Sequence, residues 1–214
     1  MKIAIIGYGI VGQATENTLK EKYLKDIVIH DPGKGHIGTY LDADLIFLCV
    51  PTDTVKAYFN DIPQEKHHDV IIRSTIDYRI LGDEFMSAGV WPEFLTERSW
   101  RHDATHPICL ICGGNTDQLQ VLKDITSDFI IKDYMWHHTD NVTAAFMKNA
   151  TNTFYTMKVT FANMLYETCK MKKMSYFKLK QCIKQDPRMG RKHWDVPGPD
   201  GEQGYGGKCF PANL

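Results

Sequence analysis

Over the first 135 positions the apolar residues come as short unbroken runs, separated by stretches where they recur at helical spacing. Residues 2–6, 26–30, 44–50 and 69–73 are four such runs, the second closed by Asp31 and the third by Pro51. Residues 11–23, 54–59 and 81–88 read as helices between or after them. Further strands are predicted at 90–91, 108–112 and 129–131, with a helix over 116–125. Continuous Ile/Val/Leu runs, rather than alternating ones, suit strands of a parallel sheet covered on both faces. The strand–helix alternation predicts a doubly wound α/β domain.

The texture then changes. From 139 to 171 there is neither Pro nor Gly, and Val142, Phe146, Phe154, Phe161 and Leu165 keep helical spacing. One long central helix is predicted, capped by Thr139 or Asp140. A shorter helix over 175–184 is stopped by Pro187 and Gly190, and the Gly/Pro-rich stretch 196–214 must be loop. The expected division is 1–135 for the α/β domain and 136–214 for the helical segment with its loop tail.

Charge and composition narrow the field. Lys and Arg number 25 against 26 Asp and Glu, a net charge of −1, so no large basic field is available and no nucleic-acid partner is expected. The longest apolar run, 45–50, is far below the roughly 20 residues of a membrane helix, so no membrane partner is expected either. Gly7, Gly9 and Gly12 interrupt the opening apolar stretch, which argues against a signal peptide. Cysteines 49, 109, 112, 169, 182 and 209 have no framework spacing, which favours a reducing, cytoplasmic setting. Cys109 and Cys112 stand three apart in a predicted strand and so face opposite sides; no metal site is expected.

Gly7-Tyr8-Gly9-Ile10-Val11-Gly12 is a G-x-G-x-x-G that follows a strand and opens a helix, and Asp31 lies 19 residues beyond Gly12 at the end of the next strand. That context defines a Rossmann-type dinucleotide fingerprint. The first glycine permits the tight turn, the second lets backbone N–H groups reach a pyrophosphate, and the third allows close helix–strand packing. A carboxylate at Asp31 accepts from a ribose 2′-hydroxyl and repels a 2′-phosphate, so NAD is expected. The nearby Lys34 leaves NADP as the alternative.

The sharpest feature is Gly204-Tyr205-Gly206-Gly207-Lys208-Cys209-Phe210-Pro211. A cysteine after a glycine-rich loop suits exposure at a site better than packing, and Lys208 favours a thiolate there. With this tail the chain resembles the UDP-glucose/GDP-mannose dehydrogenase family, the nucleotide-sugar 6-dehydrogenases. Cys49-Val50-Pro51-Thr52 is similar to the family's C-V-P-T-P, Arg73-Ser74-Thr75 to its K-S-T-V, and Pro92-Glu93-Phe94-Leu95-Thr96-Glu97 to its P-E-F-L-x-E. Lys148-x3-Asn152-x-Phe154-x3-Lys158-x4-Asn163 is similar to its central helix, and Asp186-Pro187-Arg188-Met189-Gly190 to its D-x-R-I-G.

The resemblance implies a four-electron oxidation in which the C6 alcohol of a nucleotide sugar, UDP-glucose above all, passes two hydrides in turn to two NAD molecules. Cys209 then captures the aldehyde as a thiohemiacetal, and the second oxidation leaves a thioester for water to hydrolyse. Lys148 and Asn152, one helical turn apart, stabilise the oxyanion. Glu93 serves a proton relay or the hydrolysis, and Thr75 positions water or cofactor. Gly7, Gly9, Ile10, Val11, Gly12, Asp31, Val50, Pro51, Thr52, Ser74 and Thr75 line the cofactor. Glu93, Phe94, Leu95, Glu97, Lys148, Asn152, Tyr205 and Gly206 face the substrate. The family also implies a homodimer through the long central helix.

The sequence departs from the family at four places. The pattern continues as C-x-x-K-D, where this chain has Ala212 and Asn213, and a neutral amide cannot accept a proton. The family runs on into a second α/β domain past Leu214, so the chain is expected to be a compact or C-terminally truncated form. The stretch between Asp31 and Asp44 is short, and the lead-in 196–203 is long. Two alternatives stay open: a catalytically impaired NAD-binding fragment of the same family, and a 3-hydroxyacid dehydrogenase, which shares the Lys-x3-Asn helix but lacks the cysteine.

Overall fold

The computed structural model describes residues 1–81, 85–127, 130 and 135–206, and structural statements refer to these. By internal contacts the chain divides into two units, Met1–Lys148 and Asn149–Leu214.

The first unit is built on an eight-stranded sheet, in the order β3-β2-β1-β4-β5-β6-β7-β8. The strands are β1 (Ile3–Ile6), β2 (Ile27–Asp31), β3 (His36–Ile37), β4 (Leu45–Leu48), β5 (Val70–Ile72), β6 (Gly89–Val90), β7 (Leu110–Gly113) and β8 (Trp136–Thr139). Five neighbouring pairs are parallel; β2–β3 and β6–β7 are antiparallel. Strand β1 lies between β2 and β4, with Ile3 opposite both Ile27 and Leu45. Chain connections therefore leave β1 in opposite directions, and a crevice opens beyond its C-terminal end.

Every residue of β1, β4 and β5 is buried. The pleat sends Ala4, Ile6, Ile46, Leu48, Val70 and Ile72 into one core, and Ile3, Ile5, Leu45, Phe47 and Ile71 into another on the opposite face. That double burial is why these strands read as unbroken apolar runs.

Helices α1 (Ile10–Thr18), α2 (Val55–Asp61), α3 (Trp100–Thr105) and α4 (Thr116–Ile125) accompany the sheet. Helix α1 stops short of the predicted residue 23. Leu19 turns to extended backbone and bridges Thr126, and the Lys20 amide donates to the Ile125 carbonyl at 2.8 Å. Helix α4 starts at a capping box in which Asn115 and Gln118 satisfy each other's amides. Strand β3 and helix α3 were not anticipated. Gly35, at φ +78°, ends a short 3-10 turn and sends the chain back along β2. Of the strand expected at 129–131 only Ile130 is described, in a turn whose amide donates to the Ser127 carbonyl at 2.9 Å, and residues 82–84 of the helix expected at 81–88 lie outside the described residues. A strand is present at β8, where the His137-His138 pair reads as a polar connection in sequence but pairs with β7.

Helix α5 (Asn141–Met171) runs from the first unit into the second. Asp140 caps it: its Oδ1 accepts the Thr143 amide at 2.8 Å and its Oδ2 the Thr143 hydroxyl at 2.7 Å. In the second unit α6 (Tyr176–Ile183) follows, capped by Ser175. Cys169, Tyr176 and Trp194 are buried there, with the Tyr176 hydroxyl donating to the Trp194 carbonyl and the Trp194 indole to that of Gly190. Residues 196–206 carry no regular secondary structure, as their composition predicts.

Candidate active site

The crevice begins with the glycine turn. Gly7 has φ +86°, and a Cβ there would stand 2.6 Å from the Cys49 carbonyl oxygen. A Cβ on Gly12 would meet the Gly7 oxygen at 2.1 Å, so α1 sits directly on the turn. At Gly9 a Cβ would meet nothing within 4 Å, which leaves the backbone open to an approaching group. Gly9 also gives α1 no side-chain cap, so the helix offers unpaired first-turn N–H groups beside Ile10 and Val11. Asp31 Oδ2 accepts the Tyr8 amide at 2.8 Å, tying the end of β2 to the turn, and Lys34 donates to the Tyr8 carbonyl at 2.7 Å. An open backbone at Gly9 and a carboxylate at Asp31 are the kinds of group a dinucleotide's pyrophosphate and ribose require.

The next wall comes from the ends of β4 and β5. The Ser74 hydroxyl is within reach of the carbonyls of Leu48 (3.2 Å) and Val50 (2.6 Å), and the Thr52 hydroxyl donates to the Thr75 carbonyl at 2.7 Å. Val50, Pro51, Thr52, Ser74 and Thr75 are thus stapled into one ledge. Cys49, beneath it, is buried, and burial pushes its thiol up to about 11, so it is a packing residue rather than a nucleophile.

Beyond β6, Pro92 leads into Glu93, Phe94 and Leu95. Glu93 Oε1 pairs with Lys148 Nζ at 3.0 Å, and the two side chains are only 9% and 7% exposed. Glu93 Oε2 accepts the Leu95 amide at 2.6 Å, and the ammonium lies 5.3 Å from the centre of the Phe94 ring. Glu97 is exposed, on a loop whose Thr96 amide is held by Asp103. Asn152, one turn past Lys148, is buried, and its Nδ2 has no hydrogen-bond partner among the described residues.

In the second unit α5 holds the approach to the tail. Asn163 Oδ1 accepts the Gly204 amide at 3.0 Å, and Lys158 donates to the Met189 carbonyl at 2.7 Å. Tyr205 and Gly206 are exposed. Cys209, with Gly207, Lys208, Ala212 and Asn213, lies outside the described residues. Sequence reasoning passed over Arg73 as a site residue. Its signal was a lone cation closing the apolar run of β5, and the structure places it against Trp91 and Thr15 in the interior.

A β1-centred sheet with a glycine turn at its switch point defines a Rossmann-type fold. Residues 142–214 match the central domain of the UDP-glucose/GDP-mannose dehydrogenase family, and the chain is related to that family. It is 28% identical over 184 residues to a UDP-glucose 6-dehydrogenase of Rickettsia typhi, covering 81% of this chain and 40% of that enzyme. Its fold is that of a UDP-glucose dehydrogenase from Pyrobaculum islandicum (TM-score 0.72, 18% identity, 99% of this chain and 62% of that one). A Mycobacterium tuberculosis 3-hydroxyisobutyrate dehydrogenase shares it too (TM-score 0.66, 15% identity, 94% and 77%). The chain spans about 40% of the length of the Rickettsia relative.

Proposed function

We propose that this protein binds NAD in the crevice at Gly7–Gly12 and oxidises the C6 alcohol of a nucleotide sugar, UDP-glucose being the favoured substrate. The observation that carries the reading is the buried Glu93–Lys148 pair, in a unit whose opening turn is tight at Gly7 and Gly12 and open at Gly9. Bound NAD would supply the hydride acceptor. Gly9 and the first turn of α1 would hold its pyrophosphate, and Asp31 a ribose hydroxyl.

The Lys148 ammonium has three donors and gives one to Glu93, so it has donors left to stabilise a substrate oxyanion. The Asn152 amide, buried without a partner, is a second donor in want of an acceptor. Glu93 would hold a proton released from the substrate or from water, and Thr75 would orient that water. Cys209 would take the aldehyde carbon as a thiohemiacetal, and after the second oxidation water would release the uronate from the thioester. Phe94, Leu95, Glu97, Tyr205 and Gly206 would contact the sugar nucleotide. On α5, exposed Phe154, Met157, Phe161, Met164 and Met171 follow three–four spacing, the pattern of a helix-pairing seam, which supports a homodimer.

The test is a titration with NAD and NADP by calorimetry, then NADH absorbance with UDP-glucose or GDP-mannose, with Cys209→Ser as control. Two NADH per sugar, lost in Cys209→Ser, is the expected result. NAD binding without turnover of any nucleotide sugar would favour the impaired-fragment reading. One NADH from a small hydroxyacid would favour the 3-hydroxyacid dehydrogenase reading.

A further inference from the structure

We propose that Arg73 is a positioning residue that aims Glu93 at Lys148, acting through Trp91 and the rigid Pro92. The inference rests on reading the Glu93–Lys148 pair as the charged centre of the reaction.

Arg73 is 4% exposed. No carboxylate among the described residues pairs with it directly, and burial pulls it down to about 10. An apolar side chain of the same volume would be cheaper to bury, so stability alone does not account for a guanidinium here. What the guanidinium does is geometric. Its Nε donates to the Thr15 hydroxyl of α1 at 3.2 Å and its Nη1 to the Trp91 carbonyl at 3.3 Å, while its Cζ lies over the Trp91 ring, 3.7 Å from the ring centre. Thr15 is itself fixed, because its hydroxyl donates to the Val11 carbonyl at 2.8 Å.

The Trp91 carbonyl belongs to the peptide that joins Trp91 to Pro92. Holding that oxygen fixes the peptide plane, and the pyrrolidine ring locks the next torsion, so the direction of Glu93 follows from the position of Arg73. At the far end, Glu93 spends one oxygen on the Leu95 amide and the other on Lys148. A small cavity bordered by Arg73, Trp91, Pro92, Glu93 and Cys109 leaves this segment room to swing when the clamp is lost. A lysine could keep the charge but neither the stack nor the two-point hold.

The reactivity of Lys148 reads this clamp without turnover. The full-length protein is acetylated at fixed pH with an amine-reactive ester, and Lys148, Lys66 and Lys158 are quantified by peptide mass spectrometry. In Arg73→Met, Lys148 should label roughly tenfold faster, with smaller rises in Arg73→Lys and Thr15→Val, as expected when local protection is lost. Lys66 and Lys158 should stay at the wild-type rate. Unchanged Lys148 labelling in a folded Arg73→Met overturns the proposal. If Lys66 rises as much as Lys148, the substitution has unfolded the unit, and Thr15→Val decides: a rise confined to Lys148 supports the clamp, and none overturns it. A wild type without turnover would sink the proposed reaction while leaving this result readable.

Discussion

The two units are built on opposite terms. The first, Met1–Lys148, carries 21 acidic against 14 basic side chains and buries its apolar residues on both faces of a sheet. The second has 11 basic against 5 acidic, and along α5 it leaves Phe154, Met157 and Met164 more than 60% exposed. A net charge of −1 for the whole chain conceals this division, because averaging over two units cancels fields that act locally. The most exposed apolar residues of the first unit, Ile37 at 83% and Ile108 at 74%, lie on an edge strand and a loop and line up on no common helix face. Among the described residues of the second unit, the apolar side chains exposed along α5 keep three–four spacing, the pattern of a helix-pairing seam.

The comparison breaks most sharply at Gly12. Gly12→Val puts a branched side chain where even a Cβ would stand 2.1 Å from the Gly7 oxygen, so α1 must lift off the turn. Overpacking of this kind costs about 3 kcal/mol or more when backbone has to move. Coenzyme binding should fall below detection in calorimetry, and the first unit should melt at lower temperature. Retention of wild-type affinity would mean the turn is not the coenzyme site.

How far this was readable in advance differs by unit and by kind of residue. Strands β1, β4 and β5 announce themselves because double burial demands unbroken apolar runs, and the glycine turn because its spacing carries a steric reason at each position. Helix α5 is legible from the missing Pro and Gly and from Asp140, which caps it. The end of α1 was not, since the bridge from Leu19 to Thr126 is a contact more than 100 residues away in sequence. Strand β8 hid because a WHHT segment lacks the apolar signature, its two histidines being exposed. At the site, the sequence suggested Lys148 beside Asn152 but not Lys148 against Glu93, because helical spacing reveals neighbours on one helix and says nothing of a loop arriving from 55 residues upstream.

A smaller effect sharpens the contrast. Replacing Phe154 and Met157 together by Glu should change the unfolding free energy by no more than about 0.5 kcal/mol per site, the usual cost at an exposed position. The same pair should convert a dimer into a monomer in sedimentation velocity, since charges along a helix-pairing seam oppose self-association. A dimer that survives both charges would move the interface off α5.

The finest distinction is a pH dependence confined to the second unit. His193 packs against Tyr155, with ring centres 4.3 Å apart and planes tilted by 36°. Burial, then the charges of Lys158 and Lys192, hold its imidazole below the ordinary 6.5. Between its folded value and 6.5 the unfolded chain therefore binds more protons than the folded one, so stability rises with pH through that window and is lost as pH falls through it. Asp195 runs the same way at lower pH: its hydrogen bond to Lys180 and the charges of Lys180 and Lys184 hold its carboxyl low, so its contribution is present above 3.8 and disappears only in stronger acid. Acidification should thus loosen the second unit in two separate steps, the first in the histidine range. Hydrogen exchange at 190–195 between pH 7 and pH 5 should show the first step in the wild type and not in His193→Gln. Equal acid sensitivity in both proteins would assign the step to another group and leave the basic unit no less tolerant of mild acid than the acidic one.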